Sequence, residues 1–126
     1  MTKAWRVLLI DDSEISLEIA KEALVSGGFD VRATTSLERF GEVLGSWSPE
    51  VILTDVNMPG MTGSELCRTL KRRYETAHVP IVLCSSMDAS ELGALARDCE
   101  ADGFVPKTDM DNLADELRAV CETMSW

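Results

Sequence analysis

The chain has 126 residues, 45% hydrophobic and 27% charged, and its 12 basic and 22 acidic residues leave a formal net charge of −10. A single domain with a true core is expected at this length. The charge excludes phosphate backbones and anionic membranes as direct partners and suits a protein that holds a cation or meets a basic surface.

The start of the chain leads into only four consecutive aliphatics, Val7-Leu8-Leu9-Ile10. That is too short for a secretory core segment or for the ~20 residues of a membrane helix. Without polar alternation, the run predicts a strand covered on both faces. Ile15, Ile19 and Ala23 then share one helical face, with Ala20 and Leu24 beside them, and Gly27-Gly28 ends that helix. Val31 to Thr34 is a weaker strand. Leu37, Phe40, Leu44 and Trp47 predict a second helix, with Thr35-x-x-Glu38 as its capping box. Val51-Ile52-Leu53 is the third strand. Thr62-x-x-Glu65 opens a helix whose apolar face is Leu66, Cys67, Leu70 and Tyr74. Ile81 to Cys84 is the fourth strand, and Asp88-x-x-Glu91 opens a helix carrying Leu92, Leu95, Ala96 and Cys99. Gly103 to Val105 is the fifth strand, and Leu113, Leu117, Val120, Cys121 and Met124 line the last helix. These stripes read as core. Cys67, Cys84, Cys99 and Cys121 form no C-x-x-C pair and read as reduced thiols of a cytoplasmic protein, and the lone His78 offers no zinc site. Arg68, Lys71, Arg72 and Arg73 read as a solvated helix face.

Strand and helix alternate about five times without a linker or repeat. That order implies an α/β fold: a doubly wound parallel sheet with helices on both faces, joined by right-handed crossovers. In strand order 2-1-3-4-5 the switch point lies between the first and third strands, and chemistry belongs at the carboxyl ends there. Asp11-Asp12 follows the first strand, Asp55 ends the third, Ser85-Ser86 ends the fourth and Lys107 follows the fifth. Three close carboxylates repel one another, and a divalent cation such as Mg²⁺, with its preference for oxygen ligands, removes the conflict. A carboxylate beside such an ion can attack phosphorus, and Lys107 and Ser85 would supply fixed donors for the charge that develops. Each residue also has a plain reading. Asp12 or Ser13 suits a helix cap, Asp55 and Asn57 suit the turn before Pro59-Gly60, Ser85 or Ser86 suits a plain strand end, and Phe104 suits the core.

Taken jointly, these residues resemble the receiver domain of two-component response regulators, with the layout of single-domain chemotaxis receivers. The strongest motif is Asp55-Val56-Asn57-Met58-Pro59-Gly60-Met61-Thr62-Gly63, joined by Asp11-Asp12, Ser85 and Phe104-x-x-Lys107. The resemblance covers nearly the whole chain, read as one domain over 1–126, and implies a flavodoxin-like (βα)5 fold. It implies Asp55 as phosphoacceptor. Asp12, Asp55, the carbonyl of Asn57 and, through water, Asp11 would hold Mg²⁺, with Mn²⁺ as the substitute ion. It implies Ser85, Lys107 and the amide of Ser86 as phosphate-stabilising groups, with Ser85 and Phe104 as switch residues. Implied partners are a sensor histidine kinase or phosphotransfer protein and a downstream effector or attached output domain. The surface of the fourth helix, fifth strand and fifth helix would carry the signal or a homodimer, and no membrane or nucleic acid is met directly. The domain would be regulatory, assisting its own phosphotransfer and autodephosphorylation. Thr108 stands where receivers usually carry proline after the lysine, so the aim of Lys107 is a question for the structure. The alternative is a pseudo-receiver, an interaction module that works without phosphate. A flavin carrier is disfavoured by Asp-Asp-Ser-Glu after the first strand, and an aspartyl-phosphate hydrolase by the absence of residues for a cap domain.

Overall fold

The structure, a computed structural model, describes residues 4–124. Five strands alternate with five helices: β1 (Arg6–Ile10), α1 (Glu14–Ser26), β2 (Asp30–Thr34), α2 (Leu37–Trp47), β3 (Val51–Asp55), α3 (Gly63–Lys71), β4 (Ile81–Ser85), α4 (Ala89–Asp98), β5 (Gly103–Pro106) and α5 (Leu113–Met124). A 3₁₀ turn, Lys107–Asn112, joins β5 to α5. All strand pairs are parallel, in the order β2-β1-β3-β4-β5. No helix among the described residues is long and apolar enough to cross a membrane.

The continuous aliphatic runs are explained by the two-sided core. Leu8, Ile10, Ile52, Ile81 and Leu83 face α2, α3 and α4, where Phe40, Leu66, Leu70, Leu92 and Ala96 meet them. The alternate residues Val7, Leu9, Val51, Leu53, Val82 and Val105 face α1 and α5, against Ala20, Leu24, Leu113 and Leu117. Every second side chain of a strand points to the opposite face, so with both faces covered no polar position remains. Each such side chain contributes about 1.5–3 kcal/mol by leaving water. The edge strand β2 is only partly buried, which accounts for its weak sequence signal. Pro106 sits at the last position of the other edge strand, where its missing N–H costs no ladder bond between inner strands.

Three sequence expectations are corrected. In α1 the core face is Ala20 and Leu24, whereas Ile15 is 76% exposed and Ile19 50%. Gly27, at the helix end, sets this rotation: a Cβ there would lie 2.6 Å from Ala114 Cβ of α5, so the face shared by residues 20, 24 and 27 is pressed inward. In α3 the stripe stops at Leu70, and Tyr74 is 94% exposed. The Thr76 hydroxyl donates to the Leu70 carbonyl at 2.7 Å and closes the helix before a further turn can form. The cap of α2 is Ser36, whose Oγ accepts from Arg39 N–H, so Thr35-x-x-Glu38 does not form a capping box. The Thr62–Glu65 capping box is present on both sides, and Asp88 caps α4 through Ser90 N–H. The Met124 side chain, expected on the α5 stripe, and Met1–Lys3 lie outside the described residues.

Away from the strand ends that carry the carboxylates, Asp102 ties three elements together. Its Oδ2 accepts from Lys71 Nζ at 2.6 Å and from Ile81 N–H at 2.8 Å. Asp102→Ala is expected to lower unfolding stability by about 1.5 kcal/mol, because an ammonium and an amide are left half-buried without their acceptor. Urea denaturation measures this, and a loss below about 0.5 kcal/mol, the size of an ordinary exposed pair, would contradict it.

Candidate functional site

The carboxyl ends of β1, β3, β4 and β5 meet along one edge of the sheet. Asp11 follows β1 and is buried, Asp12 is exposed, and Asp55 is the last residue of β3 and only 6% exposed. One carboxylate oxygen from each lies within 4.8 Å of the others. Lys107, the first residue past β5, reaches across the rim, its Nζ 2.9 Å from Asp11 Oδ2 and 3.3 Å from Asp55 Oδ1. Thr108 does not prevent this: the 3₁₀ turn starts at Lys107 and delivers its side chain to the carboxylates.

Short-range contacts aim these groups. Asp11 Oδ1 accepts from Ser13 N–H at 2.9 Å, which leaves its other oxygen for Lys107. Ser13 is the cap of α1, accepting from Ser16 N–H, so Asp12 is not spent on capping and stands beside the other two carboxylates. Thr54 Oγ1 donates to the Asp55 carbonyl at 2.9 Å. Gly63 N–H donates to the Val56 carbonyl at 2.8 Å and closes the loop after β3, which turns through Gly60 at φ +86°.

The electrostatics are those of an under-neutralised acidic cradle. Burial and the charge of Asp11 push the Asp55 carboxyl up from 3.8 to about 6, against the pull of Lys107. Burial lowers the Lys107 ammonium, but its hydrogen bond to Asp11 and the charges of Asp55 and Asp11 outweigh that and hold it above its ordinary value. This donor set fits Mg²⁺: all oxygen, two buried carboxylates and one open to water, with charge still to be compensated.

The remaining expected residues stand outside this cluster. Ser85 ends β4 and is buried, and its Oγ accepts from Met87 N–H at 3.1 Å. Ser86 and Asn57 are exposed beside the rim. Phe104, 36% exposed on β5, lays its ring over α4, where a Cβ on Gly93 would lie 3.0 Å from its Cζ. A cavity of about 130 Å³ adjoins the carboxylates, walled by Leu9, Ile19, Ala20, Leu53, Cys84 and Met110. Burial pushes the Cys84 thiol up to about 12, so it is an inert wall and not a nucleophile. The role of Thr54 and the Ile19 and Met110 walls were not anticipated, whereas the Ser13 cap was one of two alternatives open in the sequence.

A parallel doubly wound sheet with three carboxylates and a lysine at its switch point defines a class: an α/β domain with an acidic cradle at the carboxyl edge of its sheet. The chain belongs to the response regulator receiver domain family, whose family model matches residues 7–118. It is 37% identical over 68 residues to the chemotaxis protein CheV2 of Helicobacter pylori, covering 54% of this chain and 22% of that protein. It is 32% identical over 83 residues to the response regulator PleD of Caulobacter vibrioides, covering 66% of this chain and 18% of that protein. The chain thus spans about a fifth of the length of these curated relatives. Among solved structures, the chemotaxis response regulator CheY4 of Vibrio cholerae superposes with a TM-score of 0.82 at 24% identity, over 94% of this chain and 99% of that one, and shares its fold. The chain is therefore a phosphoacceptor signalling domain of two-component type, regulatory rather than a conventional enzyme.

Proposed function

We propose that Asp55 accepts a phosphoryl group from a phosphohistidine on a sensor histidine kinase or phosphotransfer protein, with residues 1–126 acting as one cytoplasmic receiver unit. The observation that carries this reading is the convergence of Asp11 and Asp12, Asp55 and Lys107 from three separate segments onto one sheet edge. An Asp55 oxygen attacks phosphorus as the P–N bond of the donor breaks, and the electron pair leaves with the imidazole. Asp12, Asp55, the Asn57 carbonyl and Asp11 would hold Mg²⁺, Asp11 by way of a water. When bound, the ion compensates negative charge on the cradle and on the transferring group. Lys107, already within reach of Asp55, follows the incoming phosphoryl oxygens. Ser85 exchanges its bond to the Met87 amide for a phosphoryl oxygen, and the Ser86 amide adds a donor. Attack of water on phosphorus then breaks the P–O bond to Asp55, releases inorganic phosphate and returns Asp55 to its free carboxylate.

Phosphorylation adds about −1.5 to −2 charge and three acceptor oxygens, which favour the state in which Ser85 and Lys107 are drawn inward. Phe104 leaves the Gly93 notch and turns into the space vacated beside Ser85. The surface of α4, β5 and α5 then changes its affinity for an effector, an output domain or a second copy.

Intact-mass measurement after incubation with acetyl phosphate and Mg²⁺ tests the central step. The wild type should gain one labile phosphoryl group and Asp55→Asn none. A wild type that takes up nothing, or an adduct that persists in Asp55→Asn, overturns the assignment.

A further inference from the structure

The carboxylate cradle lies at the carboxyl ends of the strands, and α3 runs from it back to the start of β4. The α3–β4 turn is therefore at the opposite end of the molecule, and the basic cluster of α3 ends there. The structure divides that cluster. Arg68 pairs with Asp98 and Lys71 with Asp102. Arg72 and Arg73 make no ion pair among the described residues, in a chain with 22 acids for 12 bases. Among the described residues Lys21, Arg32 and Arg97 also make no ion pair, but each stands alone in sequence, and Arg32 lies over the Trp47 ring. Next to the two arginines is Tyr74, 94% exposed. Beside this corner a groove of about 700 Å³ runs between the end of α2 and the turn, with Leu44, Pro49 and Val79 in its wall and Arg73, His78 and Glu75 on its rim.

We propose that this corner, Arg72-Arg73-Tyr74 with its adjoining groove, docks an acidic segment of a partner protein whose apolar side chains enter the groove. Arginine and tyrosine dominate the energetic centres of interfaces, whereas lysine and glutamate are depleted there. Guanidinium groups take carboxylates with paired hydrogen bonds, and a tyrosine ring supplies contact area at small entropic cost. Two adjacent uncompensated arginines refuse a basic segment. A nucleic-acid backbone carries charge along its whole length and would run past the two arginines onto the acidic remainder of a chain of net charge −10, whereas a short acidic segment ends at the corner. A second copy is acid-rich too, but pairing this corner with a different face of the copy is a heterologous contact, which makes a ring or an open chain and not a closed dimer. A separate acidic protein has no such constraint. Because the corner is remote from Asp55, docking here leaves the cradle and the α4–β5–α5 surface free, and it is independent of phosphorylation.

The test uses the full chain and two labelled peptides of equal length, one alternating Glu and Leu, the other Lys and Leu. Binding is followed by fluorescence anisotropy and amide chemical shifts, in the wild type and in the double variant Arg72→Glu/Arg73→Glu. The Glu peptide should shift amides of 41–49 and 72–79. Its affinity should fall about tenfold or more on charge reversal, as losing one charge-assisted pair implies, and should weaken with added salt. The Lys peptide should not bind there. Phosphoryl uptake by Asp55 should be unchanged in the variant, since both side chains are exposed and distant from the cradle, and the fold should persist with only a small loss of urea stability from acids placed at the C-terminus of α3. The proposal is overturned if the Glu peptide fails to bind, binds elsewhere or is indifferent to charge reversal. It is equally overturned if gel filtration shows self-association that the double variant abolishes, because the occupant is then a second copy.

Discussion

Gly63→Ala is expected to cost at least about 3 kcal/mol of stability and to slow phosphoryl uptake by Asp55 about a hundredfold. A Cβ at this position would lie 2.2 Å from the Asp55 carbonyl oxygen, 3.0 Å from the Asp55 carbonyl carbon and 3.0 Å from Val56 Cα. All three are backbone atoms, so no side-chain rotation relieves the clash. Either α3 retreats or the end of β3 moves, and the end of β3 carries the carboxylate. The Gly63 N–H to Val56 bond would be strained by the same shift. Gly60→Ala is the control: it loses a favourable positive φ but meets only Leu37 at 3.8 Å, so it should cost about 1 kcal/mol and leave uptake nearly unchanged. Urea midpoints and a time course of the phosphoryl adduct separate the two. A Gly63→Ala protein of wild-type stability would show that the close approach is not required.

The strands were legible because burial on both faces leaves an uninterrupted aliphatic run, and the site was legible because a parallel sheet brings residues that follow strands to one edge. The Asp11-Asp12 pair, Asp55 and Lys107 are distant in sequence but adjacent in space for that reason. Helix rotation was less legible. In α1 two apolar stripes compete, and the choice between them depends on the contact of Gly27 with Ala114, 87 residues further along the chain. The fate of Tyr74 depends on the Thr76 hydroxyl, which ends α3 from beyond its own stripe.

Within the site, residue type and order in the chain were readable, and side-chain partners were not. Ser85 could be placed at a strand end, but its bond to the Met87 amide follows from the local turn geometry after β4. Whether Asp12 or Ser13 caps α1 was open in the sequence, because both residue types suit the position. The structure decides for Ser13, and that choice frees Asp12 to join the carboxylates. The question raised by Thr108 needed the 3₁₀ turn to answer it.

Lys107→Ala is expected to destabilise the protein by about 2–3 kcal/mol at pH 7.5, and much less at pH 4.5, in the absence of divalent cations. Removing one partner of a buried charge cluster leaves the other charges uncompensated, and the partial exposure of the lysine keeps the cost below that of a fully buried pair. The pH dependence follows from Asp55. Its folded carboxyl sits at about 6 against 3.8 in the unfolded chain. Between those values the folded state binds more protons than the unfolded one, so Asp55 makes stability fall as pH rises from about 4 through 6 and stay lower above it. Without Lys107 the attraction that opposes this rise is gone, so the variant should lose more over the same window. Asp55→Asn in the wild type should do the reverse, adding about 1–2 kcal/mol at pH 7.5 once the shift is discounted for the open mouth of the cradle, and almost nothing near pH 4. Mg²⁺ should replace the missing ammonium: at ten times its dissociation constant it adds about 1.4 kcal/mol to a protein that binds it only when folded. Its effect should fade below pH 6 as protons compete for Asp55. Urea titrations at pH 4.5, 6 and 7.5, with and without Mg²⁺, measure all of these. Equal loss at every pH in Lys107→Ala, or equal stabilisation of Asp55→Asn and wild type by Mg²⁺, would show that the lysine and the ion do not share these carboxylates.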